Sequence, residues 1–215
     1  MSTRLRLNPQ FHRIHVKIVC VGRNYREHAK ELGNDVPQEP LIFLKPQSSL
    51  IKNGDSIVLP PQSKQVEFEG EIGVVVGRTL RRATSTEALS AIQGVVAVND
   101  VTARDLQRSD SQWTRAKGFD TFCPVGEPVP APAELSDLTV VTRVNGQERQ
   151  RATGSEMVFP IPDVLAYVSQ IMTLEPGDLV LTGTPAGVGK LSPGDEVEVE
   201  VVGLSRVRNP VTDIQ

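Results

Sequence analysis

Glu67, Glu69 and Glu71 occupy alternate positions in the run Val66–Val76. Successive side chains of a β-strand point to opposite faces, so this spacing sets three carboxylates on one side. The run continues into Ile72–Val76, apolar enough to be buried on both faces, and the glutamates are therefore expected at the mouth of a core. Carboxylates there repel one another unless a cation neutralises them, and an all-oxygen set suits Mg²⁺, Mn²⁺ or Ca²⁺. A solvated edge strand is the competing explanation. It fits Glu196, Glu198 and Glu200 well, and for the first row the two readings stand level. Asp100 ends a second apolar run, Gly94–Asn99, and offers one more carboxylate. It, or Thr102, serves equally well on sequence as the cap of a helical turn through Gln107.

His28 and Glu31 lie three residues apart in a short helical pattern, hence side by side. A carboxylate beside an imidazole fixes its tautomer and raises its basicity, which is what a general base needs; an exposed pair without function has the same spacing. His12 and His15 have no partner pattern. Cys123 has no histidine after it, and both it and Cys20 read as buried thiols rather than as nucleophile or disulfide. Gly183–Lys190 is too irregular for a phosphate loop, with Thr184 where the first glycine belongs and Leu191 in place of the metal-binding hydroxyl. It reads as a tight loop offering backbone amides and the Thr184 hydroxyl to a small anion.

The elements that must position these groups are mostly strands: Lys17–Val21, Leu41–Leu44, Ile57–Leu59, Val66–Val76, Val95–Val98, Leu138–Val144, Leu179–Thr182 and Glu196–Val202, with Asn145–Gly146 as a hairpin turn. Three helices are expected. The first carries Tyr25, Ala29 and Leu32 behind Asn24 as cap; the second spans about Thr86–Gln93; the third spans about Asp163–Leu174 with Val164, Val168, Ile171 and Met172 inward. The pattern is α+β, mainly β. Pro128–Ala133 reads as a loop within one domain.

The chain has 215 residues, 39% hydrophobic and 4% aromatic, with a formal charge of -3. That leaves no basic field for nucleic acid, and the pairs Arg81–Arg82 and Arg149/Arg151 read as solvated surface. No apolar run approaches the ~20 residues of a membrane span, and Met1–His15 lacks the apolar core of a secretory signal, so a cytoplasmic protein is expected.

Six ordered motifs resemble the fumarylacetoacetate hydrolase family: Val19–Tyr25, Phe43–Pro46, Glu69–Glu71, Asn99–Asp105, Lys117–Asp120 and Leu181–Pro185. The resemblance runs from Lys17 to about Val202. It implies a mixed β-roll in a single catalytic domain over 17–215 behind a variable segment 1–16, and a homodimer. It also implies Mg²⁺ or Mn²⁺ held by Glu69, Glu71 and Asp100, with Glu67 just outside the ligand pair. His28 and Glu31 would then belong to a lid and act with Lys117 in catalysis, while Arg23, Gln107 and Thr184 bind a small 2-oxo acid. The activity implied is hydrolysis of a carbon–carbon bond in an acylpyruvate through a pyruvate enolate. The alternative is isomerisation or decarboxylation of a 2-oxo or 2-hydroxydienoic dicarboxylic acid, oxaloacetate included. The short Arg108–Gln112 stretch departs from acylpyruvase-like members, and Phe119–Pro124 is closer to members of aromatic catabolism with isomerase or decarboxylase steps. A protein that binds metal and dicarboxylate without turnover is the non-enzymatic alternative; His28, Glu31 and Lys117 together speak against it.

Overall fold

The computed structural model describes residues 16–33 and 35–213. His12, His15 and all but the last residue of the segment 1–16 lie outside them. The expected α+β architecture, mainly β, is observed, built around two mixed sheets. The six-stranded sheet runs Val129–Pro130, Ile92–Asn99, Gly70–Val76, Leu179–Leu181, Ile18–Gly22, Leu41–Lys45. The five-stranded sheet runs Gln147–Thr153, Thr139–Val144, Glu196–Val201, Ser205–Asp213, Ile57–Leu59. Ile72 and Val74 of the first sheet pack with Val140, Val199, Val201 and Val207 of the second, and α5 (Ile161–Ile171) closes this core with Val164, Leu165 and Val168.

Register puts chemistry at one end of the larger sheet. Strands Ile18–Gly22 and Leu179–Leu181 are parallel, with Cys20 opposite Leu181, so both release their following loops at the same edge. Strand Gly70–Val76 begins there and its antiparallel neighbour Ile92–Asn99 ends there, Gly70 opposite Asn99. Beside it, Val66–Phe68 pairs with Thr102–Ala103 and Gly189–Lys190 in a small separate sheet.

The expected single strand Val66–Val76 is thus two strands interrupted at Glu69. The Glu69 N–H donates to Asn99 Oδ1 (3.0 Å) and its carbonyl accepts from the Asp100 N–H (2.8 Å), which turns the backbone from one sheet into the other. Glu196–Val201 lies inside its sheet rather than at an edge, but its glutamates do line a wet face, where Arg143 meets Glu198 and Glu200. The Asn145–Gly146 hairpin is as expected, both residues in the left-handed region that such a turn requires (φ 53° and 76°).

The helices depart from expectation in their ends. α1 spans Arg26–Glu31, and Asn24 does not cap it: its amide donates to Phe159 O and Thr182 O, and its Oδ1 accepts from the Phe159 N–H. α2 spans Ser85–Leu89 because Thr84 and Glu87 form a capping box and the strand from Ile92 takes over the rest of the expected segment. α5 starts two residues early, with Pro162 in its first turn, and stops at Ile171 because Met172 is extended and Leu174 pairs with Leu80. Ile171 is consequently outward, 55% exposed. α3 (Arg104–Ser109) is capped by neither Asp100 nor Thr102; Thr102 donates instead to the Asp100 carbonyl. Among the described residues no helix is long and apolar enough to cross a membrane.

Candidate active site

Glu69, Glu71 and Asp100 are all buried and present oxygens within 4.8 Å of one another. Two glutamates come this close to a third acid because the residue between them is glycine. A Cβ on Gly70 would stand 1.8 Å from Thr142 Oγ1 of the other sheet. The Gly70 N–H is held by Gln150 Oε1 (2.9 Å), whose amide also donates to Thr184 Oγ1 and Pro185 O.

Three buried cations surround these acids. Arg104 bridges Glu67 and Glu69, so those two do project the same way. Lys117 Nζ, from α4 (Thr114–Lys117), lies 2.8 Å from Glu69 Oε2 and 2.6 Å from Asp100 Oδ2. Lys45 Nζ takes the other Asp100 oxygen at 2.7 Å. Burial by itself raises the Glu69 carboxyl, but Lys117 and Arg104 outweigh it and hold the group well below the usual range. Glu71 goes the other way: burial, then the charges of Asp100 and Glu69, push it well above the ordinary carboxylate value. Its only hydrogen bond among the described residues comes from the Gly183 N–H (2.7 Å). A buried acid with so little compensation, in a cluster of hard oxygens, fits a divalent cation such as Mg²⁺ or Mn²⁺.

His28 projects from α1 into the same cavity, 4% exposed, with Nδ1 3.2 Å from Glu31 Oε2. With its proton on Nδ1 toward Glu31, the imidazole keeps Nε2 as a free base. Glu31 Oε1 accepts from the Gly187 N–H at 3.0 Å, so one carboxylate fastens α1 to the loop after Leu181. The amides of that loop therefore serve the protein's own acids, Glu71 and Glu31, where the sequence suggested a free anion. Thr184 lines the cavity, but its hydroxyl is engaged, donating to Gly70 O (2.9 Å) and accepting from Gln150. Arg23 and Gln107 line the cavity too. Cys20 and Cys123 are buried free thiols pushed up first by desolvation, Cys123 to about 12, which suits neither to nucleophilic attack.

Every site residue expected from the sequence falls in or against one cavity of about 420 Å³. Residues 17–212 match the fumarylacetoacetate (FAA) hydrolase C-terminal family model. The chain belongs to this family. Among relatives of the fumarylacetoacetate hydrolase fold, an uncharacterized protein of Methanocaldococcus jannaschii is 47% identical over 197 residues, covering 92% of this chain and 83% of its own. The mitochondrial oxaloacetate tautomerase FAHD1 of Arabidopsis thaliana is 43% identical, covering 89% of each. Among solved structures, 2-hydroxyhepta-2,4-diene-1,7-dioate isomerase of Mycobacterium marinum aligns with TM-score 0.85 at 42% identity over 93% of this chain and 75% of its own. Fumarylpyruvate hydrolase of Pseudomonas aeruginosa, in complex with Mn²⁺ and pyruvate, aligns with TM-score 0.87 at 28% identity over 92% and 90%. Family members are thus enzymes of more than one reaction type.

Lys45, Arg104 and Gln150 had no role in the sequence reading. Lys45 and Arg104 stand in motifs that carry the family resemblance, and a charged residue closing the apolar run Leu41–Leu44 was the available signal for Lys45.

Proposed function

We propose that this chain is a divalent-metal-dependent enzyme acting on a short 2-oxo acid through its enol form, transferring a proton between keto and enol tautomers or between double-bond isomers. The observation that carries the reading is His28, a buried imidazole held by Glu31 and facing the acidic triad across one cavity. Glu69, Glu71 and Asp100 would hold the cation, which supplies Lewis-acid polarisation of a carbonyl and so acidifies the carbon beside it. His28 takes the proton at that carbon through Nε2 and returns it, while Glu31 stabilises the imidazolium. Phe43 and Trp113, in edge-to-face contact at 5.2 Å, wall off water on one side. The similarity above 40% to proteins named as tautomerase and isomerase supports proton transfer as the first reading.

Hydrolysis of an acylpyruvate is the second reading. Gln107 favours it: its Oε1 is held by Arg104, leaving the amide N–H groups for an oxyanion while His28 activates water. A cytoplasmic, homodimeric protein is part of the proposal, supported by the two unpaired thiols and by the apolar edge strand Leu41–Lys45, where Leu41 and Leu44 are exposed.

The test is to incubate the protein and Mg²⁺ with enol oxaloacetate, acetylpyruvate and a 2-hydroxydienoate separately. Loss of the enol absorbance with total 2-oxo acid conserved supports tautomerisation. Pyruvate formed from acetylpyruvate moves the assignment to hydrolysis, carbon dioxide from oxaloacetate moves it to decarboxylation, and inertness toward all three overturns the enzymatic reading. Light scattering of the purified chain checks the dimer.

A further inference from the structure

The cavity changes character from floor to rim. Its floor is the acid triad with Lys117, its wall is Phe43 and Trp113, and its mouth carries two arginines from different elements, Arg23 after strand Ile18–Gly22 and Arg108 on α3. Neither has a carboxylate partner among the described residues. Arg108 meets only the neutral Gln65 Oε1 at 3.3 Å. The acids nearest it in sequence are committed elsewhere: Asp105 accepts from Ser63, the Lys64 N–H and the Leu106 N–H, and Asp110 is gripped by Arg115. Glu31, the acid facing the cavity beside Arg23, is taken by His28 and Gly187.

Arg23 is also held in a costly shape. Its φ of 59° is one that side-chain-bearing residues rarely adopt. The next residue fixes it there, since the Asn24 side chain is bonded on both ends to Phe159 and on one to Thr182. Strain of this kind persists where the surroundings over-determine it, commonly at ligand sites. Gly22 completes the wall: a Cβ there would come within 2.8 Å of the Trp113 ring, so the missing side chain lets the indole close over the strand end.

We propose that Arg23 and Arg108 form a subsite for a second, distal carboxylate, and that the substrate is a 2-oxo or 2-hydroxydienoic dicarboxylate whose chain lies along Phe43 and Trp113. This rests on the functional reading above, which sets the 2-oxo end at the triad. The 420 Å³ cavity is larger than a three-carbon head fills, and two guanidiniums at its mouth match a carboxylate by charge and geometry.

The test is calorimetric binding to Mn²⁺-loaded protein of matched pairs: 2-oxoglutarate against 2-oxopentanoate, and 2-oxoadipate against 2-oxohexanoate, with oxalate as a head-only probe. At least one dicarboxylate should bind about tenfold or more tightly than its monocarboxylate partner, as expected for charge-assisted bonds. Arg23→Gln and Arg108→Gln should each shrink that ratio, and the double variant should bring it near one, with oxalate affinity changed less than the ratio. Equal affinity within both pairs, or a ratio intact in the double variant, overturns the subsite while leaving the 2-oxo acid reading standing. Failure of oxalate and of every 2-oxo acid to bind overturns both.

Discussion

Lys117 Nζ lies 2.6 Å from Asp100 Oδ2, while Lys45 holds the opposite oxygen of the same carboxylate. Asp100 is therefore clamped between two buried ammonium groups. With Glu67, Glu69, Glu71 and Arg104 the buried cluster carries one negative charge in excess when all are ionised. A divalent cation reverses that to one positive charge, which matches the single carboxylate of a 2-oxo acid head. Charge balance thus links metal and substrate.

Glu71 is where metal dependence should be read. A carboxyl raised in the folded state favours folding while protonated, and this contribution fades as pH rises through the raised folded value. Metal-free protein should accordingly lose stability above the ordinary carboxylate range, and Mg²⁺ should restore it by ~2.7 kcal/mol at a hundredfold excess over its dissociation constant. Glu71→Gln should flatten the pH slope and remove the Mg²⁺ shift, and Glu69→Ala or Asp100→Ala should remove the shift as well. Melting curves across pH with and without Mg²⁺ decide it; a shift kept by all three variants would discard the site.

Gly70→Ala should destabilise by about 1–3 kcal/mol or more, the range for overpacked cores, because the new methyl meets Thr142 Oγ1. That hydroxyl is buried with no hydrogen-bond partner, so Thr142→Ala alone should cost little. The double variant should then recover much of the loss in a thermal melt. No recovery would mean that Gly70 is needed for another reason.

Lys45→Met tests the clamp. Removing one member of a buried ion pair leaves an uncompensated charge, which costs about 3–5 kcal/mol. Asp100→Asn in the Lys45→Met background should return part of it. Denaturant midpoints for the two variants give the answer, and additive losses would show that Lys45 acts through packing alone.

The spacing of Glu67, Glu69 and Glu71, the place of Asp100 at a strand end and the i,i+3 pairing of His28 with Glu31 were legible because each depends on local periodicity. What was hidden depends on contacts distant in sequence. Lys45 reaches Asp100 across 55 residues, Arg104 reaches Glu69 across 35, and Gln150 reaches Gly70 across 80. The break at Glu69 was invisible for the same reason, since its backbone is turned by Asn99 and Asp100 rather than by any residue in its own run. Asn24 looked like a helix cap because Asn is a good one locally, and tertiary partners won.

The last expectation concerns the base. If His28 moves the proton at carbon, His28→Ala should lower enol–keto interconversion by the ~10²- to 10⁴-fold of a lost general base. Glu31→Gln should follow at smaller size, because a neutral amide still orients the imidazole but stabilises its cation less. Decarboxylation of oxaloacetate makes a different demand: electrons leave toward the polarised carbonyl as carbon dioxide departs, and the proton can come later from solvent. Any such activity should therefore lose less in the His28→Ala variant than interconversion does. Glu31 also holds Gly187, so the glutamine variant must be compared at saturating substrate to separate chemistry from closure of the loop. Rates of both reactions for wild type and the two variants, at saturating Mg²⁺, provide the comparison. Equal losses in both would assign His28 to binding, and the proton would have to be carried by Lys117, the other titratable group facing the triad.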